Sequence, residues 1–189
     1  MNLRRIQSGV AMGLFASMLA LFGCDQQQID KVRQKARDVA AAVKPDNLLL
    51  RGLQAGVSTE AQVRAQMGRP AMVWQNPDGS KRLEYPRGPA GVRTYMVDIG
   101  ADGKLLAISQ ALSAENFAKV HPGMSEDEVR RLLGKPTGTA AYRLKNESVW
   151  SWRWLEDGVN QPAQFNVYFG PDGKVATTSR SNDPATERP

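Results

Sequence analysis

Three rhythms of apolar and polar positions divide the chain. Behind the basic Arg4 and Arg5, residues Val10 to Phe22 form a 13-residue apolar run. From Ile29 the apolar positions Ile29, Val32, Ala36, Val39 and Val43 step by three and four. That spacing draws one stripe along a helix, and Pro45 stops it. Beyond Pro45, short helical patterns alternate with runs of period two, which predicts a body of mixed helix and strand.

The body is written twice. Asp46 to Gly56 aligns with Ser113 to Gly123 at an offset of 67, and Gly68-Arg69-Pro70 matches Gly134-Lys135-Pro136. At an offset of 70, Val97, Gly100, Asp102, Gly103, Lys104 and Ser109 recur as Val167, Gly170, Asp172, Gly173, Lys174 and Ser179. Asp46 and Ser113 are N-cap types that open a short helix, and Ser58 and Ser125 open a second. Gly68 and Gly134 suit the positive φ of a helix end, and Pro70 and Pro136 forbid continuation.

Each helix pair is followed by four strands. They are predicted at 71–75, 81–86, 93–99 and 104–109, and at 139–144, 148–155, 163–169 and 174–180, with Asp-Gly turns between several of them. The fold class is therefore α+β: two tandem α-α-β-β-β-β repeats, each a helix pair packed on an antiparallel sheet whose other face is free. The expected organisation is a signal peptide at 1–23, an anchor-proximal helix at 24–45, repeats at 46–112 and 113–182, and a frayed tail at 183–189.

The segments Pro122-Gly-Met-Ser-Glu-Asp-Glu-Val-Arg-Arg-Leu-Leu-Gly-Lys-Pro136 and Phe169-Gly-Pro-Asp-Gly-Lys-Val175 resemble the SmpA/OmlA domain, the fold of BamE-like lipoproteins. The doubled arrangement resembles the beta-lactamase inhibitor protein, whose two repeats form a concave sheet that grips a partner. This resemblance covers 46–181 and implies a binding role in the cell envelope, accessory to outer-membrane or envelope assembly. The inhibitor carries disulfides within its repeats, and a chain with one Cys cannot form them.

That Cys is Cys24, placed after Gly23 at the end of the apolar run. The run is shorter than the ~20 residues a spanning helix needs. The arrangement resembles a lipoprotein lipobox, which implies lipidation of Cys24, palmitate included, and a periplasm-facing membrane anchor. Asp25 then resembles an inner-membrane retention signal. Loss of Arg4 and Arg5 with the signal lowers the net charge from +6 to +4. So mild a charge carries no nucleic-acid signal. The basic residues Lys31, Arg33, Lys35 and Arg37 of the following helix suit either an anionic headgroup surface or a solvated stalk.

Catalytic chemistry finds little support. His121 is the only imidazole, and its first-repeat counterpart is Gln54, so it reads as a polar turn residue with no nucleophile beside it. Glu126, Asp127 and Glu128 suit the first turn of a helix. Asp102 and Asp172 belong to hairpin turns. The expectation is no enzyme, no metal and no cofactor.

The aromatic strand is more informative. Trp150, Trp152 and Trp154 alternate and share one face. Trp150 and Trp152 align with Leu83 and Tyr85, between the outward Arg82 and Glu84, and read as core. Trp154 aligns with Arg87 and reads as surface. With Arg153, Tyr168 and Trp74 it forms the candidate partner-binding set. The expected function is a lipid-anchored, non-catalytic protein-binding module. The alternative is a small-ligand, lipid or peptidoglycan module using the groove between repeats.

Overall fold

The computed structural model describes residues 19–88, 91–144, 146–157 and 160–184, the side chains of 19–25 and 41–43 excepted. The expected signal segment as far as residue 18, the Cys24 side chain and residues 185–189 of the expected tail lie outside the described residues. Two compact units are present, Met1–Ala40 and Ala41–Pro189.

Helix α1 (Leu19–Val43) carries the predicted stripe, with Ile29, Val32 and Val39 exposed. Gln34 donates to Asp38 one turn on, at 2.9 Å. Among the described residues, no helix is long and apolar enough to cross a membrane.

The second unit repeats one order of elements. The first repeat runs α2 (Asp46–Leu49), α3 (Glu60–Met67), β1 (Met72–Gln75), β2 (Lys81–Arg87), β3 (Arg93–Ile99) and β4 (Leu105–Gln110). The second runs α4 (Ala114–Phe117), α5 (Glu126–Leu133), β5 (Gly138–Tyr142), β6 (Glu147–Leu155), β7 (Pro162–Phe169) and β8 (Val175–Asn182). Each set of strands is a four-stranded antiparallel meander, β1-β2-β3-β4 and β5-β6-β7-β8.

Local chemistry explains why the repeats resemble each other where they do. Thr59 and Ser125 each close a capping box, with Gln62 and Glu128 reaching back to the cap N–H. Gly68 and Gly134 end those helices at φ 84°, ψ −159° and φ 80°, ψ −168°, a region that is essentially glycine-only. The turn between the helices then bonds to the Asp-Gly-Lys hairpin. Gly56 N donates to Leu105 O at 2.8 Å, and Gly123 N to Val175 O at 2.9 Å. Asp102 and Asp172 accept the N–H of Lys104 and Lys174, both at 3.0 Å. The repeated glycine and the repeated Asp-Gly-Lys are two halves of one junction.

Two caps differ from expectation. Pro45, not Asp46, is the cap of α2, and the Asp46 carboxylate instead receives Arg87 and Arg93. Thr59 rather than Ser58 caps α3. Ser58 is buried, and its hydroxyl accepts the N–H of Gln54 at 2.9 Å.

One core lies under each sheet. The first joins Leu49, Val63 and Met67 to Leu83, Tyr85, Val97 and Ile99. The second joins Phe117, Val129 and Leu133 to Trp152, Trp154, Phe165 and Phe169.

The outer faces of the sheets differ, which corrects the expectation that both are free. Glu84, read as outward, is fully buried, with Thr94 and Met96 on its face. What covers them is the end of α5. A Cβ at Gly134 would lie 2.8 Å from Thr94 and 3.2 Å from Met96, and Lys135 N donates to Glu84 Oε1 at 2.9 Å.

Candidate binding face

On β6 the even-numbered tryptophans all point inward. Trp152 is fully buried, and its indole N–H donates to Gly134 O at 3.1 Å. Trp150 is half-buried against Phe169, with ring centroids 5.0 Å apart. Trp154 is 6% exposed, which overturns its assignment to the surface. Its ring meets Phe117 edge-on at 4.8 Å, and Phe117 stacks on Phe165 at 4.3 Å. The alignment with Arg87 misled because Arg87 is buried too, 8% exposed, with its guanidinium held by Asp46. A buried cation satisfied by an anion is as inward as an indole.

Arg153 and Tyr168 do lie on the opposite face of this sheet. Arg153 forms an ion pair with Asp183 at 2.6 Å, and the Tyr168 hydroxyl lies 3.3 Å from Ser179 Oγ. Trp74 is elsewhere, on β1 opposite Arg82, so it shares the face of the first sheet that meets α5. The four candidates are therefore not one patch. The structure brings Arg153 and Tyr168 to one face, sends Trp154 to the core and leaves Trp74 on the other sheet.

The outer face of β5–β8 carries the polar Ser151, Gln164 and Asn166 beside Ala140 and a buried Val149. Asn166 is buried at its centre. Its amide oxygen accepts from Ser151 Oγ at 2.7 Å and Gln164 Nε2 at 3.0 Å, and its amide nitrogen donates to Ser181 Oγ at 3.1 Å. At one edge Thr137 Oγ1 accepts the N–H of Arg153 at 3.0 Å. An open cleft of about 540 Å³ lies there, bounded by Thr137, Ala140, Ser151, Arg153, Gln164 and Asp183. It offers hydrogen bonds from a fixed network and one ion pair. Among the described residues, no nucleophile–base pair lies on this face. The His121 ring is exposed in its turn, with Nδ1 3.1 Å from Pro122 O. Among the described residues, no group of three or more His, Cys, Asp or Glu is placed to hold a metal ion.

No family model and no curated protein sequence matches the chain. Similar solved structures include OsmE, described as an osmotically inducible lipoprotein, at 36% identity, covering 36% of this chain and 78% of that one, TM-score 0.33. A second is YjgB, a DUF4309 family protein from Bacillus subtilis, at 15% identity with coverage of 79% and 95%, TM-score 0.29. A third is a beta-lactamase inhibitor-type protein from Streptococcus mutans, at 15% identity with coverage of 73% and 98%, TM-score 0.30. By its repeated motifs and the α-α-β-β-β-β order of each half, the chain is an SmpA/OmlA-like tandem repeat.

Several residues on the face of this SmpA/OmlA-like sheet escaped the sequence reading. Gln164 and Asn166 alternate with Phe165 and Val167 on β7, a period-two signal that marks a polar face. Asp183 was assigned to the frayed tail. Instead β8 runs on to Asn182, and Asp183 is 1% exposed beside Arg153. A lone acid in a polar C-terminal stretch gives no sign of that burial.

Proposed function

We infer that this chain is a non-catalytic binding module of the bacterial cell envelope, held to a membrane by lipid on Cys24, and that it engages a protein partner through the outer face of β5–β8. One observation carries the reading. The same face of β1–β4 is covered by the second repeat, whereas that of β5–β8 is open and forms the cleft beside Arg153. The lipobox-like Gly23-Cys24 supplies the anchor, and the role is accessory or scaffolding in envelope assembly. Asp25 favours the inner membrane.

The test has two parts. Full-length protein expressed with labelled palmitate should carry label that Cys24→Ala removes, and membrane fractionation then reports which membrane holds it. Ala140 is exposed at the edge of the cleft, and Ala140→Arg fills the cleft without touching either core. It should abolish recovery of an envelope partner while leaving thermal unfolding unchanged. An anchored wild type that recovers no partner, or equal recovery with Ala140→Arg, overturns the reading.

A second reading rests on the junction of the repeats. There a cavity of about 230 Å³ is lined by Arg93 and Gln110 from the first repeat and by Ser113, Trp154 and Glu156 from the second. The Trp154 indole N–H is buried without a hydrogen-bond acceptor, the kind of donor that a small polar ligand would satisfy. Tryptophan fluorescence titrated with peptidoglycan fragments or anionic lipid tests it. A flat titration excludes those ligands.

A further inference from the structure

Helix α1 bears an apolar stripe that faces water. Ile29, Val32 and Val39 are 39%, 68% and 57% exposed, and Ala36 between them is exposed too. The charges of the helix are sorted around that stripe. At about 100° per residue, Arg33 and Lys35 fall about 80° to either side of its centre, Arg37 and Lys31 about 120°, and Asp30 and Asp38 about 140°. The four cations thus flank the apolar face, and the two acids turn to the far side, whose pole is Gln34. All four cations are exposed. Arg33 lies 4.0 Å from Asp30, a well-exposed pair that holds it weakly in water.

Two kinds of occupant would cover such a stripe. Steps of three and four are also those of a coiled-coil seam, but this one runs for about two heptads, where a stable seam needs roughly three or four. Arg33 and Lys35 border it with the same sign, so a second copy laid on the stripe would bring like charges together. An anionic lipid surface takes the same arrangement without that repulsion. The apolar side chains enter the acyl boundary, the long stems of the flanking cations reach the headgroups, and the acids stay in water. Among the described residues no helix is long and apolar enough to cross a membrane, so the mode open to α1 is to lie on one.

We propose that α1 lies along an anionic bilayer surface, with Ile29, Val32, Ala36 and Val39 toward the acyl chains and Lys31, Arg33, Lys35 and Arg37 at the headgroups. This goes beyond the partner-binding face, and it rests on lipid at Cys24 only to bring the helix to a membrane. One isoleucine, two valines and an alanine bury little area, so charge supplies much of the attraction. Lying flat, α1 keeps its Val43 end at the bilayer, whereas an upright helix would carry that end roughly 30 Å from Cys24. The orientation of α1 therefore sets how far from the membrane the repeats begin.

Fluorescent labels on opposite sides of α1 test the orientation. Full-length chain carrying Cys24→Ser has no other thiol and retains residues 1–23, whose apolar run tethers it in place of lipid. In that chain Ala36→Cys and Gln34→Cys place an environment-sensitive fluorophore at nearly one height, the first in the stripe and the second opposite it. On vesicles of phosphatidylglycerol and phosphatidylcholine, the label at 36 should shift to the blue and be quenched by spin-labelled acyl chains, and the label at 34 should keep its emission in water. Arg33→Glu and Lys35→Glu together should cut the lipid-facing fraction at 36 at least tenfold, since each cation at such a surface is worth roughly fivefold in binding. Raising the salt from about 0.1 M to about 1 M, which shortens the screening length from ~10 Å to ~3 Å, should act in the same direction. Equal emission from the two positions, or a shift at 36 as large on phosphatidylcholine alone, overturns the proposal. So does a shift that follows protein concentration rather than lipid charge, which makes the occupant a second copy. Because Cys24 is absent throughout, failure here leaves lipidation to the palmitate experiment, and loss of lipidation leaves this result standing.

Discussion

Arg87 and Trp154 hold the same place in their repeats, yet one completes an ionic cluster and the other an aromatic one. Arg87 pairs across the sheet with Arg93, and Asp46 accepts from both, at 3.1 Å from Arg87 Nε and 2.8 Å from Arg93 Nη1. Arg87 also reaches the Lys44 carbonyl. In the second repeat Trp154 pairs with Ala163, and Phe117 and Phe165 fill the corresponding volume. The backbone site accepts either a hydrogen-bonded ionic cluster or an aromatic one, although the second leaves the Trp154 indole N–H without an acceptor. The two differ in what disturbs them: acid and salt act on the ions, and loss of volume acts on the rings.

The largest expected break in this comparison is Trp154→Ala. Emptying that site should cost about 3–5 kcal/mol, read from chemical denaturation. A loss below about 1 kcal/mol would return Trp154 to the surface. The equivalent Arg87→Ala leaves Asp46 its contact with Arg93 and should cost about 1–3 kcal/mol.

Next come the two glycines. Gly134→Ala meets both backbone strain and Thr94, and should destabilise by about 2–4 kcal/mol. Gly68→Ala carries the backbone part, about 1–3 kcal/mol. Equal losses would mean that the inter-repeat contact contributes nothing.

Acid sharpens the contrast further. Burial alone would raise the Asp46 pKa, but hydrogen bonds from Arg93, Arg87 and Tyr95 outweigh it and hold the carboxylate below its usual range. A group with a lowered folded pKa stabilises above its unfolded value, near 3.9, and that stability is lost as pH falls through the folded value. Glu60, hydrogen-bonded by Lys81 and Arg64, acts with the same sign. Asp46→Asn should remove about 1–2 kcal/mol near neutrality and flatten the acid limb of stability against pH.

The smallest effect is of opposite sign. Burial raises the Glu84 pKa, and the Lys135 N–H, Arg130 and Lys135 offset it only in part. Its contribution is therefore greatest below the unfolded value and is lost as pH rises through the folded one. Glu84→Gln keeps an acceptor for Lys135 and should change stability at neutral pH by less than about 1 kcal/mol, while removing that loss. A larger destabilisation would mean that the 3.8 Å approach of Arg130 holds the repeats together.

The order of elements was legible in the sequence because it rests on short-range rules. The cap at Ser125, the glycines at 68 and 134 and the Asp-Gly-Lys turns act within a few residues of themselves, so their repetition announces two copies of one unit, although the first cap falls at Thr59 and not at Ser58. Period two on β6 correctly places Trp150, Trp152 and Trp154 on one face. It does not say whether Arg87 and Trp154, at equivalent positions, both turn inward. Burial of Arg87 depends on Asp46, 41 positions away, and burial of Asp183 depends on Arg153.

The same limit applies to the candidate site. Arg153 and Tyr168 share the open face because alternation on β6 and β7 puts them there. That the face is open, and that its counterpart on β1–β4 is closed by Gly134, depends on how one repeat lies against the other. Local pattern determined two similar sheets; only tertiary packing, which lays the end of α5 on Glu84, Thr94 and Met96, buried the outer face of one and left the other with a cleft.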